Sequence, residues 1–204
     1  MNRCLRSVFT FALILMPVLL MAQAPAPQSF SADMKITTPK MGQPMPGKMF
    51  FDKSKMRMDV SMGAQSMSTI VDSTTQTSYV LMNTQKMYMQ VSTQGNGPGG
   101  FRFPDVHQYD PDNPCASQAG TTCKKVGTET VNGRVCDKWV FTGKNGDSTV
   151  WVDQSLLFPI KSVQPDGSIF ELSNIQEGPQ AASLFTVPAD YRKMDMGGMM
   201  GNRR

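Results

Sequence analysis

Strict alternation of apolar and polar positions runs through Lys55-Met56-Arg57-Met58-Asp59-Val60-Ser61-Met62. Successive side chains on a strand point to opposite faces. The pattern therefore predicts a strand with Met56, Met58, Val60 and Met62 on one face and Lys55, Arg57, Asp59 and Ser61 on the other. Similar short segments of alternating or β-branched character occur at Phe30–Thr37, Lys48–Asp52, Ser66–Asp72, Ser78–Met82 and Lys86–Val91, separated by Gly, Pro, Asn, Asp or Ser. That spacing predicts an antiparallel meander.

Asn132-Gly133 is a two-residue hairpin signal between Lys124–Val131 and Arg134–Thr142, and it sets Cys136 opposite Glu129. A second hairpin is expected around Lys144-Asn145-Gly146-Asp147, pairing Trp139 with Val152 and Phe141 with Val150 on one face and Lys138 with Asp153 on the other. Further strands are expected at Pro159–Gln164 and Ser168–Gln176, joined by Pro165-Asp166-Gly167, with a last short one at Leu184–Val187. No convincing helical period follows residue 24. The fold class is mainly β: a strongly curved antiparallel sheet, an incomplete half-open barrel, of about 10–11 strands with little helix.

The ends and one internal stretch break the pattern. Residues 1–24 read as a secretory signal peptide: Arg3 and Arg6, then an apolar run from Val8 to Met21, then Ala22-Gln23-Ala24 before the cleavage point. The apolar run is shorter than the roughly 20 residues that span a bilayer, and Cys4 precedes it where a lipoprotein cysteine would follow. An exported, periplasmic protein without a membrane anchor is expected. Ser92–Thr122, with Gly95–Gly100 and four prolines, is a long loop, and 194–204 reads as a mobile Met-rich tail. One β domain over 25–193 remains.

Composition narrows the function. The formal net charge is +4, and +2 once Arg3 and Arg6 leave with the signal; no basic block exceeds Arg203-Arg204, which argues against a nucleic-acid partner. Of the three cysteines beyond the signal, Cys115 and Cys123 are the preferred disulfide. The hairpin register puts Cys123 roughly 20 Å along the strand from the position facing Cys136, against the ~7 Å Cα limit of a bridge. Cys115–Cys136 is the alternative.

The final third carries Val126-Gly127-Thr128-Glu129-Thr130-Val131-Asn132-Gly133, then Cys136-Asp137-Lys138-Trp139, Val150-Trp151-Val152-Asp153 and Phe158-Pro159-Ile160-Lys161. It closes on Asn174-Ile175-Gln176 and Leu184-Phe185-Thr186-Val187-Pro188-Ala189-Asp190-Tyr191. With these elements the chain resembles the LolA/LolB-type lipoprotein-carrier superfamily over about residues 29–193, closest to an uncharacterised bacterial branch with a Met- and Gly-rich tail. The resemblance implies a curved half-barrel whose concave apolar face holds acyl chains under a helical lid. This chain departs from it in two places: only Pro25–Ser29 stands where the carriers begin with a helix, and the Gly/Pro/Cys loop replaces the lid.

The candidate site is apolar. Eleven methionines fall between Met34 and Met89 and four more crowd the last eleven positions. Met34, Met56, Met58, Met62, Met87 and Met89 are expected to share a face with Trp139, Phe141, Val150 and Val152, forming an adaptable surface for a lipid acyl chain or lipoprotein-like cargo. Two other readings stand beside it: a filled core in a structural envelope protein with no ligand, and a copper(I) site on the tail through Met194, Met196, Met199 and Met200. No cofactor is called for. His107 is the lone histidine, Asp110-Pro111-Asp112-Asn113 lacks the glycine and glutamate of a calcium loop, and Gly95–Gly100 opens no helix, so no catalytic set is found and the chain reads as a non-enzyme.

Overall fold

The computed structural model describes residues 29–92 and 120–194. The signal segment, Gly95–Gly100, His107, the Asp110–Asn113 run, Cys115 and the tail methionines Met196, Met199 and Met200 lie outside the described residues. Twelve strands form a single sheet: β1 (Phe30–Thr37), β2 (Met45–Asp52), β3 (Lys55–Met62), β4 (Gln65–Asp72), β5 (Thr77–Met82), β6 (Met87–Ser92), β7 (Thr122–Val131), β8 (Arg134–Gly143), β9 (Gly146–Asp153), β10 (Phe158–Val163), β11 (Ile169–Glu177) and β12 (Arg192–Lys193). Their spatial order is β12-β6-β5-β4-β3-β2-β1-β11-β10-β9-β8-β7. Two antiparallel meanders thus run outward from the β1–β11 seam, and only β12 adds in parallel, against β6.

The sheet coils back on itself. Strands three apart in a flat sheet are separated by roughly 14 Å at ~4.8 Å per strand. Yet Arg134 on β8 bonds Glu177 on β11 at 2.8 Å, and the Phe158 ring on β10 lies 5.3 Å from that of Phe51 on β2. Irregular pairings at Ser31/Asp33, Pro159/Lys161 and Lys125/Gly127 supply the local bends. Phe30, Phe51 and Phe158 meet with centroids 5.1 to 5.6 Å apart and, with Met34, Met49, Met56, Ile160 and Leu172, make the main core.

The Asn132-Gly133 turn forms as expected. Both residues take positive φ, +50° and +81°, and Glu129 pairs with Cys136. The next hairpin differs from its expected register by two residues: the turn is Lys144-Asn145, and Trp139 faces Val150, Phe141 faces Ser148 and Lys138 faces Trp151. Gly146 does not sit at the turn's centre; its φ of +110° is one that side chains rarely adopt, and a Cβ there would also lie 3.1 Å from Pro165. A shift by two keeps every side chain on its predicted face.

The expected last strand at Leu184–Val187 does not form. Ala182–Phe185 is instead a single 3-10 turn within a strap that crosses the back of β2–β6. Leu184, Phe185, Val187 and Tyr191 cover Ile70, Leu81, Phe50, Tyr79 and Tyr88 there. The strap is tied down by Arg57, which donates to the Leu184 carbonyl at 3.0 Å, by Tyr191 donating to Asn83 at 3.0 Å, and by the Lys86–Asp190 ion pair at 2.8 Å. The expected polar back face of β3 is therefore partly enclosed: the Arg57 side chain is only 16% exposed, held by Asp59, Ser68 and the strap.

Candidate functional site: the methionine face

Register partners on adjacent strands share a face, so the pairings trace rows across the sheet. One row runs Phe30–Phe51–Met56–Val71–Ser78–Val91. The next runs Ala32–Met49–Met58–Thr69–Val80–Met89, and a third Met34–Gly47–Val60–Met67–Met82–Met87. Met45 lies opposite Ile36, and Met62 opposite Gln65, at the end of the same face. Ten of the eleven methionines between Met34 and Met89 thus lie on one side of the meander; the eleventh, Met41, is exposed in the β1–β2 connection. Met45, Met49, Met67 and Met82 join the six methionines expected on this face. The signal that finds them is the same period-2 alternation, extended to the neighbouring strands.

The face continues into the second half. Ile36 pairs with Phe170, Phe170 with Ser162, Ser162 with Val150 and Val150 with Trp139, one row on the methionine side. Phe141 and Val152 alternate in phase with Trp139 and Val150 along their own strands. The row does not hold along the whole of β9 and β10: past the Pro159/Lys161 bulge Val152 pairs with Pro159, while Phe158 of the main core pairs with Asp153, and packing divides the ten expected site residues. Met34 and Met56 are buried in the main core, with Met58 packed against it, whereas Trp139, Phe141 and Val152 form a separate cluster with Val150 and Cys123.

Burial falls off away from β1. Met34, Met49 and Met56 are buried, Met58, Met67, Met82, Met87 and Met89 are half-buried, and Met62 is 42% exposed. A hollow of about 170 Å³ lies at this outer end, lined by Val60, Met62, Gln65, Ser66, Met67, Met82 and Gln85. Gly47 makes the inner packing close: a Cβ there would stand 2.8 Å from the Met34 methyl and closer still to the Asp59 carbonyl oxygen.

Two tryptophans of equal burial, 8% exposed, differ in their polar contacts. Trp151, a member of the main core, donates from Nε1 to Glu129 at 2.7 Å and has the Lys138 and Lys161 ammonium groups 5.1 and 5.2 Å from its ring. Lys138 also bonds Glu129 at 2.6 Å, and this bond, followed by the Trp151 N–H, holds the Glu129 carboxyl below its ordinary value. In the separate cluster with Phe141 and Val152, the buried Trp139 Nε1 has no hydrogen-bond partner among the described residues. A buried N–H without a partner is uncommon, and it offers a donor to an acceptor that reaches it.

Beside this face sits a buried ionic staple. Asp153 is 1% exposed and accepts hydrogen bonds from the Ser155 and Leu156 amides at 2.9 and 2.7 Å and from Arg134, which also bonds Glu177. Burial pushes the Asp153 carboxyl up, but the Arg134 hydrogen bonds and the Leu156 amide outweigh it and hold it below its ordinary value. Cys136 is buried against this staple as a free thiol, raised to about 11 chiefly by burial. Cys123 is disulfide-bonded. Among the described residues no group of three or more His, Cys, Asp or Glu is placed to hold a metal ion, and no helix is long and apolar enough to cross a membrane.

What these features define is a one-sheet β protein, largely antiparallel, that coils around an apolar, methionine-paved face. The chain belongs to the DUF4412 family, a domain of unknown function, whose model matches residues 31–157. Its fold is similar to that of an uncharacterized conserved protein from Thermus thermophilus, with a TM-score of 0.57 at 8% identity over 82% of this chain and 90% of that one. It is also similar to a chain of the Pseudomonas aeruginosa MucA/MucB complex, with a TM-score of 0.51 at 14% identity; the match covers 81% of this chain and 57% of that one. A LolA superfamily protein from Nitrosomonas europaea matches with a TM-score of 0.37 at 10% identity, over 80% of this chain and 91% of that one. No curated protein sequence matches the chain.

Proposed function

We propose that this chain is an exported, non-enzymatic binding or carrier protein that holds an apolar ligand, a lipid acyl chain or a lipoprotein-like cargo, on its methionine face. One observation carries the reading: ten methionines share one face of the sheet, and their burial declines from the core rows to half-buried and exposed positions at β3–β6. A closed core is served by branched side chains with fixed rotamers. Unbranched thioethers at a partly exposed surface are suited to repacking around a partner of irregular shape. Contact with an acyl chain would contribute about 25 cal/mol for each Å² of apolar surface removed from water.

The remaining parts of the reading rest on the sequence: a signal peptide over 1–24, one β domain over 25–193 and a periplasmic location. The test is native mass spectrometry of the mature protein purified gently from an envelope extract. A bound mass matching a phospholipid or fatty acid is expected, and Met58→Asp or Met89→Asp should remove it while Ser61→Asp on the opposite face leaves it. An apo mass alone, or equal loss in all three variants at unchanged stability, defeats the proposal.

A further inference from the structure

The methionine face ends in a feature that an acyl-chain surface does not require. Met67 on β4 lies directly opposite Met82 on β5, which lies opposite Met87 on β6. Facing Cβ atoms on adjacent strands stand about 4.5–5.5 Å apart, and each methionine has three rotatable bonds, so neighbouring sulfurs can converge on one point. Met62, Met67 and Met82 line the same hollow of about 170 Å³. That volume is below the roughly 300–1,000 Å³ of small-molecule sites but ample for a single ion, since one water occupies about 30 Å³.

The hollow's chemistry selects among ions. Among the described residues its other lining is Val60, Gln65, Ser66 and Gln85, with no carboxylate, imidazole or thiol. Hard cations such as calcium and magnesium favour charged oxygen ligands, and zinc favours thiolate or imidazole, so neither class finds its donors here. Neutral thioethers are soft donors, and the first-row ion they suit is Cu(I). On the neighbouring edge β12 pairs with β6, Arg192 beside Met87 and Lys193 beside Tyr88, and the Met194 amide donates to the Tyr88 carbonyl at 2.8 Å, so the strand runs parallel to β6 from Met87 onward and supplies no residue to the lining of the hollow.

We propose that Met62, Met67 and Met82 form a thioether site for Cu(I) at the open end of the methionine face. The proposal is independent of lipid binding. Its test is anaerobic competition between the mature protein and bicinchoninate for Cu(I), with Ag(I) as a redox-inert second probe. One Cu(I) per chain is expected. Leucine is close to methionine in volume, so Met67→Leu/Met82→Leu should keep the fold while weakening Cu(I) binding by about tenfold or more. The exposed Met62→Leu should weaken it without any cost in stability, and the core pair Met34→Leu/Met56→Leu should leave it unchanged. A chain ending at Met194 should still bind. The proposal is overturned if the wild-type protein leaves all the copper with the chelator, if the Met67/Met82 and Met62 variants bind as wild type, or if truncation after Met194 alone abolishes binding.

Discussion

Asp153→Asn tests the buried staple that holds β8 and β9 to β11. The Asn side chain keeps the shape of Asp, and its oxygen still faces the Ser155 and Leu156 amides, which now donate to a neutral acceptor. Its amide nitrogen replaces Oδ2, the acceptor of the Arg134 Nε–H, so the guanidinium keeps only the longer 3.2 Å bond to Oδ1 and its bond to Glu177, whose side chain is 44% exposed. A hydrogen bond to a charged group is worth about 1.5–3 kcal/mol, and breaking a buried pair costs about 3–5 kcal/mol. With Glu177 and solvent compensating in part, a loss of about 2–3 kcal/mol is expected at pH 7, or roughly 4–12 °C in Tm at ~2–4 °C per kcal/mol. The effect must depend on pH. Asp153 is held below its ordinary value in the folded protein, so its stabilisation is fully present above the unfolded carboxyl pKa of about 3.9 and is lost as pH falls through the lower folded value. Other carboxylates held low, such as Glu129 and Asp137, contribute equally to both proteins and cancel in the difference. Thermal unfolding followed by circular dichroism from pH 7 to pH 3 measures this directly. A Tm within about 1 °C of wild type at pH 7, or a gap that does not shrink below about pH 4, would refute the argument.

Three further outcomes follow from the packing. Gly47→Ala pushes a methyl against the Asp59 carbonyl and the Met34 methyl, and should lower stability by about 1–3 kcal/mol in denaturant unfolding. Trp151→Phe loses a hydrogen bond to Glu129 and two cation contacts whereas Trp139→Phe removes an unpartnered N–H, so at equal burial Trp151→Phe should cost at least about 1 kcal/mol more. Cys136 should resist a thiol reagent at pH 8 in the folded protein and react once urea unfolds it, because burial both shields the sulfur and raises its pKa to about 11; rapid labelling of the native protein at this site would contradict the packing described.

The strands, their facing and the Asn132-Gly133 turn were legible in the sequence because each depends on local rules. Side-chain direction alternates with period two whatever the strand packs against, so Met56, Met58 and Met62 belong on one face of their strand and Met87 and Met89 on one face of theirs, and the pairing of β3 to β6 brings the two faces together. The Lys144-Asn145 turn was not legible, because the glycine points to a turn centred on Asn145-Gly146, whereas Gly146 takes its positive φ of +110° one residue past the turn and packs against Pro165, a residue distant in sequence. The strap over the back of the meander likewise depends on contacts between residues distant in sequence. Its trace in the sequence was present: Ile70, Leu81, Tyr79 and Tyr88 are apolar in the phase opposite to the methionines, which marks strands covered on both faces.

By itself, then, the chain determined a β protein with its methionines gathered on one side, since composition and alternation are properties of the covalent sequence. Only the tertiary structure decided which of those methionines are buried and which remain accessible. That division depends on the coiling of the sheet, which brings Phe158 against Phe51 and fills the inner rows while leaving Met62 and the β4–β6 edge open. Coiling arises from bulges and long-range contacts such as Arg134 to Glu177, and such contacts exist only once segments far apart in the chain have met.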